Sequence, residues 1–314
     1  MKLNVELTGL AMRLACAAGL LLAAAALASE NAPHRPFAQW AELPRPRQFV
    51  VGLVYAESEA YRIWAGGKER DIKVKDGGES YGIDINQGYL ALQYGITERW
   101  AADLNVGFTS CGWRSFSPDQ GTESTTGLMD FSFGVRYQIF NEAQHTNPAW
   151  LPTLTFRAGA VLPGTYDEDF EFAPGLRSAA IEPELLARKH FGWPGLGAYC
   201  DALYRWNRTT GNDHYIVAVG LFQQIKGWEL DVGYRRLQTL SGDDIQFGNP
   251  NDLSTIDYPR DPREISDSLE TGFSYTTAKR QIRYGFQLRW VCDGNNTDRK
   301  LWVGGSVDIP IGGR

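Results

Sequence analysis

From about residue 48 onward, apolar side chains alternate with polar or small ones in stretches of about ten residues. In 281–293, Ile282, Tyr284, Phe286, Leu288, Trp290 and Cys292 share one side. Gln281, Arg283, Gly285, Gln287, Arg289 and Asp293 share the other. In 127–140, Met129, Phe131, Phe133, Val135, Tyr137 and Ile139 alternate with Asp130, Ser132, Gly134, Arg136 and Gln138. In 228–237, Trp228, Leu230, Val232 and Tyr234 alternate with Glu229, Asp231, Gly233 and Arg235. Successive strand side chains point to opposite faces, so a period of two predicts strands with one apolar and one polar face. Twelve are predicted, at 48–57, 81–96, 99–109, 126–140, 150–162, 176–189, 196–206, 213–225, 228–240, 265–278, 281–293 and 299–311.

The predicted links alternate in length. Short ones at 97–99, 190–195, 226–227 and 279–280 interleave with longer ones at 58–80, 110–125, 163–175, 207–212 and 241–264; 141–149 is intermediate, and 294–298 joins the last two strands. An even strand number, with short turns at one end and long loops at the other, is the pattern of an outer-membrane barrel with periplasmic termini. The predicted fold is therefore all-β: a transmembrane antiparallel β-barrel of about 12 strands over 48–314. A secreted β-sandwich also alternates. Its aromatic face would need a partner sheet, however, and nearly every strand here presents such a face. Trp100, Trp150 and Trp228 begin strands at the periplasmic rim, while Trp206 and Trp290 lie near the opposite ends. By parity all five face outward, as membrane-interface anchors do. Pro152 and Pro183 fall inside predicted strands, and Pro183 predicts a local bulge. The last strand, ending Asp308-Ile309-Pro310-Ile311-Gly312-Gly313-Arg314, lacks the terminal aromatic common in such barrels. That implies either an atypical assembly signal or a displaced boundary.

Residues 1–28 combine Lys2 and Arg13 with an apolar run from Leu14 to Ala28 that ends Ala26-Leu27-Ala28. This predicts a signal peptide cleaved after Ala28, leaving 29–47 as a periplasmic segment before the barrel. Whether that segment enters the lumen is left open.

Charge and composition narrow the functions. The 37 acidic against 31 basic residues give a net charge of −6, which excludes nucleic acid as a main partner. A mean hydropathy of −0.32 excludes a bundle of membrane helices. Beyond the signal, Cys111, Cys200 and Cys292 form neither a disulfide framework nor a zinc pattern, and His34, His145, His190 and His214 are scattered. No metal or cofactor is assigned. Parity turns Asp103, Asp130, Glu182, Glu184, Asp201, Glu229, Asp231 and Glu270 inward, with Arg136, Arg157, Arg188, Arg205, Arg235, Arg283 and Arg289. These lumen-lining candidates nearly balance, which suits a narrow path or a plug of salt bridges. Twelve strands fall between small filled barrels and wide porins. The inward small residues Gly107, Gly134, Gly159, Gly220, Gly233, Gly272, Gly285 and Gly304 leave room beside the charges and favour a path.

The hairpin Leu92-Gln93-Tyr94-Gly95-Ile96-Thr97-Glu98-Arg99-Trp100, with Gly127-Leu128-Met129-Asp130, Arg136-Tyr137 and the lead-in Arg45-Pro46-Arg47, resembles the outer-membrane family named for the meta-pathway of phenol degradation. The resemblance covers most of the mature chain and implies transport of aromatic or other hydrophobic compounds. It supplies no catalytic set. The resulting expectation is passive inward diffusion of small hydrophobic or aromatic solutes across the outer membrane of a Gram-negative bacterium. Outer-membrane lipid, the solute and, during biogenesis, the barrel-assembly machinery are the expected partners. Two other readings stay open. One is a closed structural or adhesive barrel binding through its outer loops, where Asp167-Glu168-Asp169 and the stretch from Asp243-Asp244 to Asp261 could hold divalent cations. The other is an outer-membrane hydrolase using His214, inward at the outer rim beside Asp213.

Overall fold

The structure is a computed structural model that describes residues 34–35, 38–39, 41–72, 74–76, 79–114, 122–143, 150–167, 177–191, 194–208, 211–249, 252–257, 259 and 262–313. The expected signal peptide, 1–28, lies outside the described residues. Among those described, twelve strands form the ring. They are β1 (Gln48–Ala65), β2 (Ile83–Gly95), β3 (Trp100–Arg114), β4 in two segments (Thr122–Leu128 and Phe131–Phe140), β5 (Thr153–Leu162), β6 (Ala180–His190), β7 (Leu196–Asn207), β8 (His214–Ile225), β9 (Trp228–Thr239), β10 (Ile265–Thr276), β11 (Arg283–Asn295) and β12 (Thr297–Gly312). Each pairs antiparallel with the next, and β12 pairs with β1, so the sheet closes on itself. Gln48 and Gly312 are register partners, which puts the start and end of the ring at one rim with the turns 96–99, 141–152, 191–195, 226–227 and 277–282.

Alternation explains both faces of this wall. Outward residues such as Leu53, Phe108, Phe133, Leu185, Val219, Leu230 and Leu269 are exposed all round the ring. Water does not tolerate so continuous an apolar band, and hydrocarbon tolerates only a sheet without free edges. The barrel therefore spans a membrane. At the rim carrying the short turns, Phe49 packs on Tyr94 at 4.4 Å, Trp100 on Tyr137 at 4.7 Å and Trp228 on Tyr275 at 4.8 Å. Aromatic pairs at this level form the girdle of a membrane barrel.

Several boundaries differ from the sequence expectation. β1 does not end at 57 but runs to Ala65, because Glu57 and Glu59 keep the alternation while facing outward. Spanning needs only about 9–11 residues, so the extra length projects beyond hydrocarbon, where outward carboxylates are solvated. β4 is interrupted at Met129 and Asp130, where one extra residue enters: Phe108 pairs with Leu128, but Asn105 pairs with Ser132. This bulge turns Leu128 outward and buries Met129, reversing the face assigned to Met129 from parity. Pro183 causes no bulge: the pairing of β6 with β7 keeps one register from Ile181–Trp206 to Glu184–Leu203 and is only interrupted between them. Pro152 precedes β5. Between β11 and β12 the chain turns at Asn296 alone, with φ of 50°.

Candidate functional site: the barrel lumen

Arg157 of β5 anchors the middle of the lumen. Its Nε donates to both oxygens of Asp103 on β3, at 2.9 and 3.1 Å, and its Nη1 lies 3.5 Å from Glu182 and 3.7 Å from Glu184 on β6. Glu182 also accepts from Arg205 Nε at 2.6 Å, and Arg136 Nη1 donates to Gln93 at 3.4 Å. Arg136, Arg157, Glu182, Glu184, Asp103 and Asp201 are all buried. Charges this far from water persist only when paired. Here the pairs run along the wall from strand to strand.

A second network closes the rim that carries the short turns. Glu229 of β9 accepts from Arg188 of β6, from Arg283 of β11 at 2.8 Å and from Gln224 at 2.7 Å. Arg188 also meets Glu42 at 3.1 Å, and its guanidinium lies 3.9 Å from the centroid of the Phe222 ring. The Ala41 carbonyl accepts from Thr155 and, at 3.4 Å, from Gln138. Part of the segment before the barrel therefore sits inside this mouth, which the sequence left open. Around it lies a cavity of about 440 Å³ lined in part by Glu42, Arg45, Arg188, His190, Glu229 and Arg283. At its edge the turn residue Glu142 bonds His190 and, at 3.1 Å, Lys189. Burial alone would raise the Glu142 carboxyl, but the bonds from His190 and Lys189 outweigh it and hold that carboxyl below the usual range.

The inward glycines do not leave the free space expected of them. A Cβ on Gly134 would lie 2.8 Å from Arg157 Nε, and Gly159 is also covered by Arg157. Tyr199 lies over Gly220 and Gly233, Asp231 over Gly272, Tyr89 over Gly107 and Ser306 over Gly285. Each glycine lets a neighbouring side chain lie flat against the wall. Strands β12, β1 and β2 differ from the rest. Their inward residues between Trp302 and Ser306, Val50 and Ala60, and Ile85 and Gln93 carry no charge, and the inward charges of β12, Asp298, Lys300 and Asp308, lie beyond that stretch.

At the loop end, Ala56, Ala60, Ile63, Ile83, Ile85, Cys111 and Trp302 pack with Ile72 and with Ile245 from the β9–β10 loop. Asn296 fastens that loop. Its side-chain oxygen accepts from Gly66 N at 2.7 Å and Ile245 N at 3.0 Å, while its Nδ2 donates to Asp244 at 2.8 Å and to the Arg263 carbonyl at 2.9 Å.

The remaining sequence candidates divide. Glu270 pairs with Arg289 at 2.7 Å. Asp130 accepts from Gly164 N at 2.9 Å and from Tyr166 at 3.1 Å, so it holds the β5–β6 loop. Arg235 is half-buried. Trp100, Trp150, Trp206 and Trp290 are exposed, and Trp228 is half-buried against Tyr275. Asp213 accepts from Asn207 N at 2.9 Å and Tyr204 at 3.1 Å, while His214 Nδ1 faces the Asn212 carbonyl at 3.4 Å. Asp244 pairs with Arg263 at 3.0 Å. His145, Glu168, Asp169 and Asp261 lie outside the described residues. Cys111 is buried, and Cys200 and Cys292 are half-buried. Parity missed Glu42, Tyr199, Gln224 and Asn296. The first and last lie outside any alternating stretch, and uncharged side chains give no sign of a bridging role.

Residues 69–299 match the family described as "Putative MetA-pathway of phenol degradation". Among solved structures, an outer membrane channel from Pseudomonas putida F1 superimposes with a TM-score of 0.64 at 15% identity, over 85% of this chain and 96% of that one. The transport unit of the autotransporter AIDA-I from Escherichia coli gives 0.48 at 9% identity, over 85% and 91%. The P. putida toluene transporter TodX gives 0.40 at 9% identity, over 88% and 91%. No curated protein sequence matches the chain. At such identities the structural likeness is one of fold, whereas the family match spans most of the sequence. This twelve-stranded membrane barrel belongs to the phenol-degradation MetA-pathway family.

Proposed function

We propose that the protein is an outer-membrane channel for passive inward diffusion of small hydrophobic or aromatic compounds. One observation carries this reading: most lumen charges bond one another along the wall, while Trp302 to Ser306 of β12, Val50 to Ala60 of β1 and Ile85 to Gln93 of β2 line one side with uncharged inward residues. Unpaired charges of one sign would draw ions. Acids and arginines already bonded to each other offer an ion little, and a neutral strip lets an apolar solute pass without stripping water from a charge. The family assignment supports the same solute class. The Gram-negative outer membrane supplies the setting, with lipid around the apolar band and the solute as cargo; diffusion down a gradient needs neither catalysis nor a cofactor.

Intact Gram-negative cells expressing the barrel should take up labelled toluene and phenol faster than cells carrying an empty vector. Equal rates would overturn the proposal. They would favour the second reading, a closed structural barrel, which the Ile245 cluster at one end and Glu42 at the other support.

A further inference from the structure

Three neutral side chains in the lumen carry buried polar atoms without a partner among the described residues. Gln287 is 1% exposed, and neither its Oε1 nor its Nε2 has a hydrogen-bond partner among the described residues. The hydroxyls of Ser58 and Ser306 are likewise buried and unpartnered. Other inward glutamines are bonded: Gln87 by Tyr89, Gln93 by Arg136, Gln138 to the Ala41 carbonyl, and Gln224 to Glu229. Buried polar groups left without partners cost free energy, so such a group in a fold is a candidate for function.

The register sets these three side chains around one position, Gly304, with the two serines on opposite sides of it. Gln287 on β11 lies directly opposite Gly304 on β12, and Ala56 on β1 lies opposite Gly304 on its other side. Ser306 is two residues along β12 on the same face, and Ser58 pairs with Trp302, two residues the other way. Diagonal neighbours in a sheet are about 7–8 Å apart. One amide and two hydroxyls thus surround a glycine that raises no side chain between them. Val54, Ala56 and Trp302 add buried apolar surface beside it. Two buried acids flank this site: Asp308, two residues beyond Ser306 on the same face, and Glu270, which pairs with Arg289 at 2.7 Å.

We propose that Gln287, Ser58 and Ser306 form a hydrogen-bonding station around Gly304 for neutral solutes that carry a hydroxyl on an apolar body. The amide can accept from that hydroxyl and donate to it, and either serine can do the same. No protein bond has to break when the solute arrives, so its hydroxyl gains a partner it would otherwise lose on leaving water. The three side chains are themselves neutral, so they match a hydroxyl and not an ion. The inference rests on the uptake reading and refines it: phenol-like solutes are preferred over hydrocarbons of the same size.

Binding and flux separate the two claims. Phenol binding to the detergent-solubilised full chain, read by calorimetry, should weaken about fivefold in Gln287→Met and further in the Ser58→Ala/Ser306→Ala double variant. Toluene binding should not change. In cells, the phenol-to-toluene uptake ratio should fall by a similar factor, with toluene uptake held. Heat-modifiable gel mobility verifies that each variant is folded. Should Gln287→Met damage folding, the serine variant carries the test. Phenol bound equally by wild type and the folded variants, or not bound at all, overturns the station even where both solutes are taken up. Failure of wild-type cells to take up either solute instead overturns the uptake reading, while the binding comparison still decides the station.

Discussion

Arg157 reaches Asp103 two strands away by lying across Gly134. Gly134 on β4 is the register partner of both Asp103 on β3 and Gly159 on β5, and a Cβ there would meet Arg157 Nε at 2.8 Å. The ion pair, with Nη2 and Oδ1 2.7 Å apart and both side chains almost wholly buried, depends on a bare strip of backbone beneath it.

Gly134→Val should therefore act as an ion-pair mutation although it removes no charge. Lifting Arg157 off the wall strands a buried guanidinium and carboxylate, and breaking such a pair costs about 3–5 kcal/mol. The midpoint of heat-modifiable gel mobility should drop well below wild type. Gly88→Ala is the control: it lies on the same kind of strand with nothing within 4 Å of the added Cβ, and should melt as wild type does. Equal midpoints for all three would show that Arg157 finds another route.

Glu229 holds two arginines that come from different sides of the ring. Glu229→Gln takes from Arg188 and Arg283 the acid they share at the mouth and leaves Arg188 with Glu42. Destabilisation of about 3–5 kcal/mol is expected. The residual flux of small ions should shift toward anions, since a positive ring now faces the opening. The reversal potential across a planar bilayer under a KCl gradient reads this directly, and an unshifted potential would mean that Glu42 replaces the lost charge.

Acid should loosen the loop fastened by Asn296. The Asn296 amide bonded to Asp244 holds that carboxyl below its ordinary range; slight burial acts in the opposite sense, and Arg263 adds to the lowering. A carboxyl depressed in the folded state stabilises above its unfolded pKa, about 3.9 for aspartate. That stabilisation is lost as pH falls through the folded value. Protection factors of the Ile245 and Gly66 amides, both bonded to Asn296, should hold at pH 7 and fall at strongly acid pH. In Asp244→Asn that pH dependence should flatten. Protection that is independent of pH in wild type would show that Asn296 retains the loop without Asp244.

Much of the barrel was legible because a sheet buried on one face writes that face into every second residue. Leu230, Val232 and Tyr234 against Glu229 and Asp231 needed no partner strand to be read. Reading failed where the period slips. The extra residue at Met129–Asp130 reversed the face of Met129, and no local residue type marks that bulge. Partners were less legible than faces. Arg157 and Asp103 are 54 residues apart and separated by β4, so their meeting depends on two registers at once. The glycines were visible as small but not as covered, since the covering chain comes from a neighbouring strand. Glu42 carries no periodic signal, and its place is set by Arg188.

Glu42 also offers the sharpest test of the mouth. Its carboxylate meets Arg188 at 3.1 Å, and the neighbouring Ala41 carbonyl accepts from Thr155 and Gln138 on the wall. Glu42→Arg sets a guanidinium against Arg188 beside Arg283 and reverses the local attraction. Residues 41–43 should then leave the mouth, since the two carbonyl bonds must hold against like-charge repulsion. Single-channel conductance in planar bilayers should rise above wild type. Glu42→Gln, which can still accept a hydrogen bond from Arg188, should give a smaller increase. A conductance that stays at the wild-type level in Glu42→Arg would show that Ala41, bonded through its backbone to β4 and β5, keeps the segment in place without help from charge.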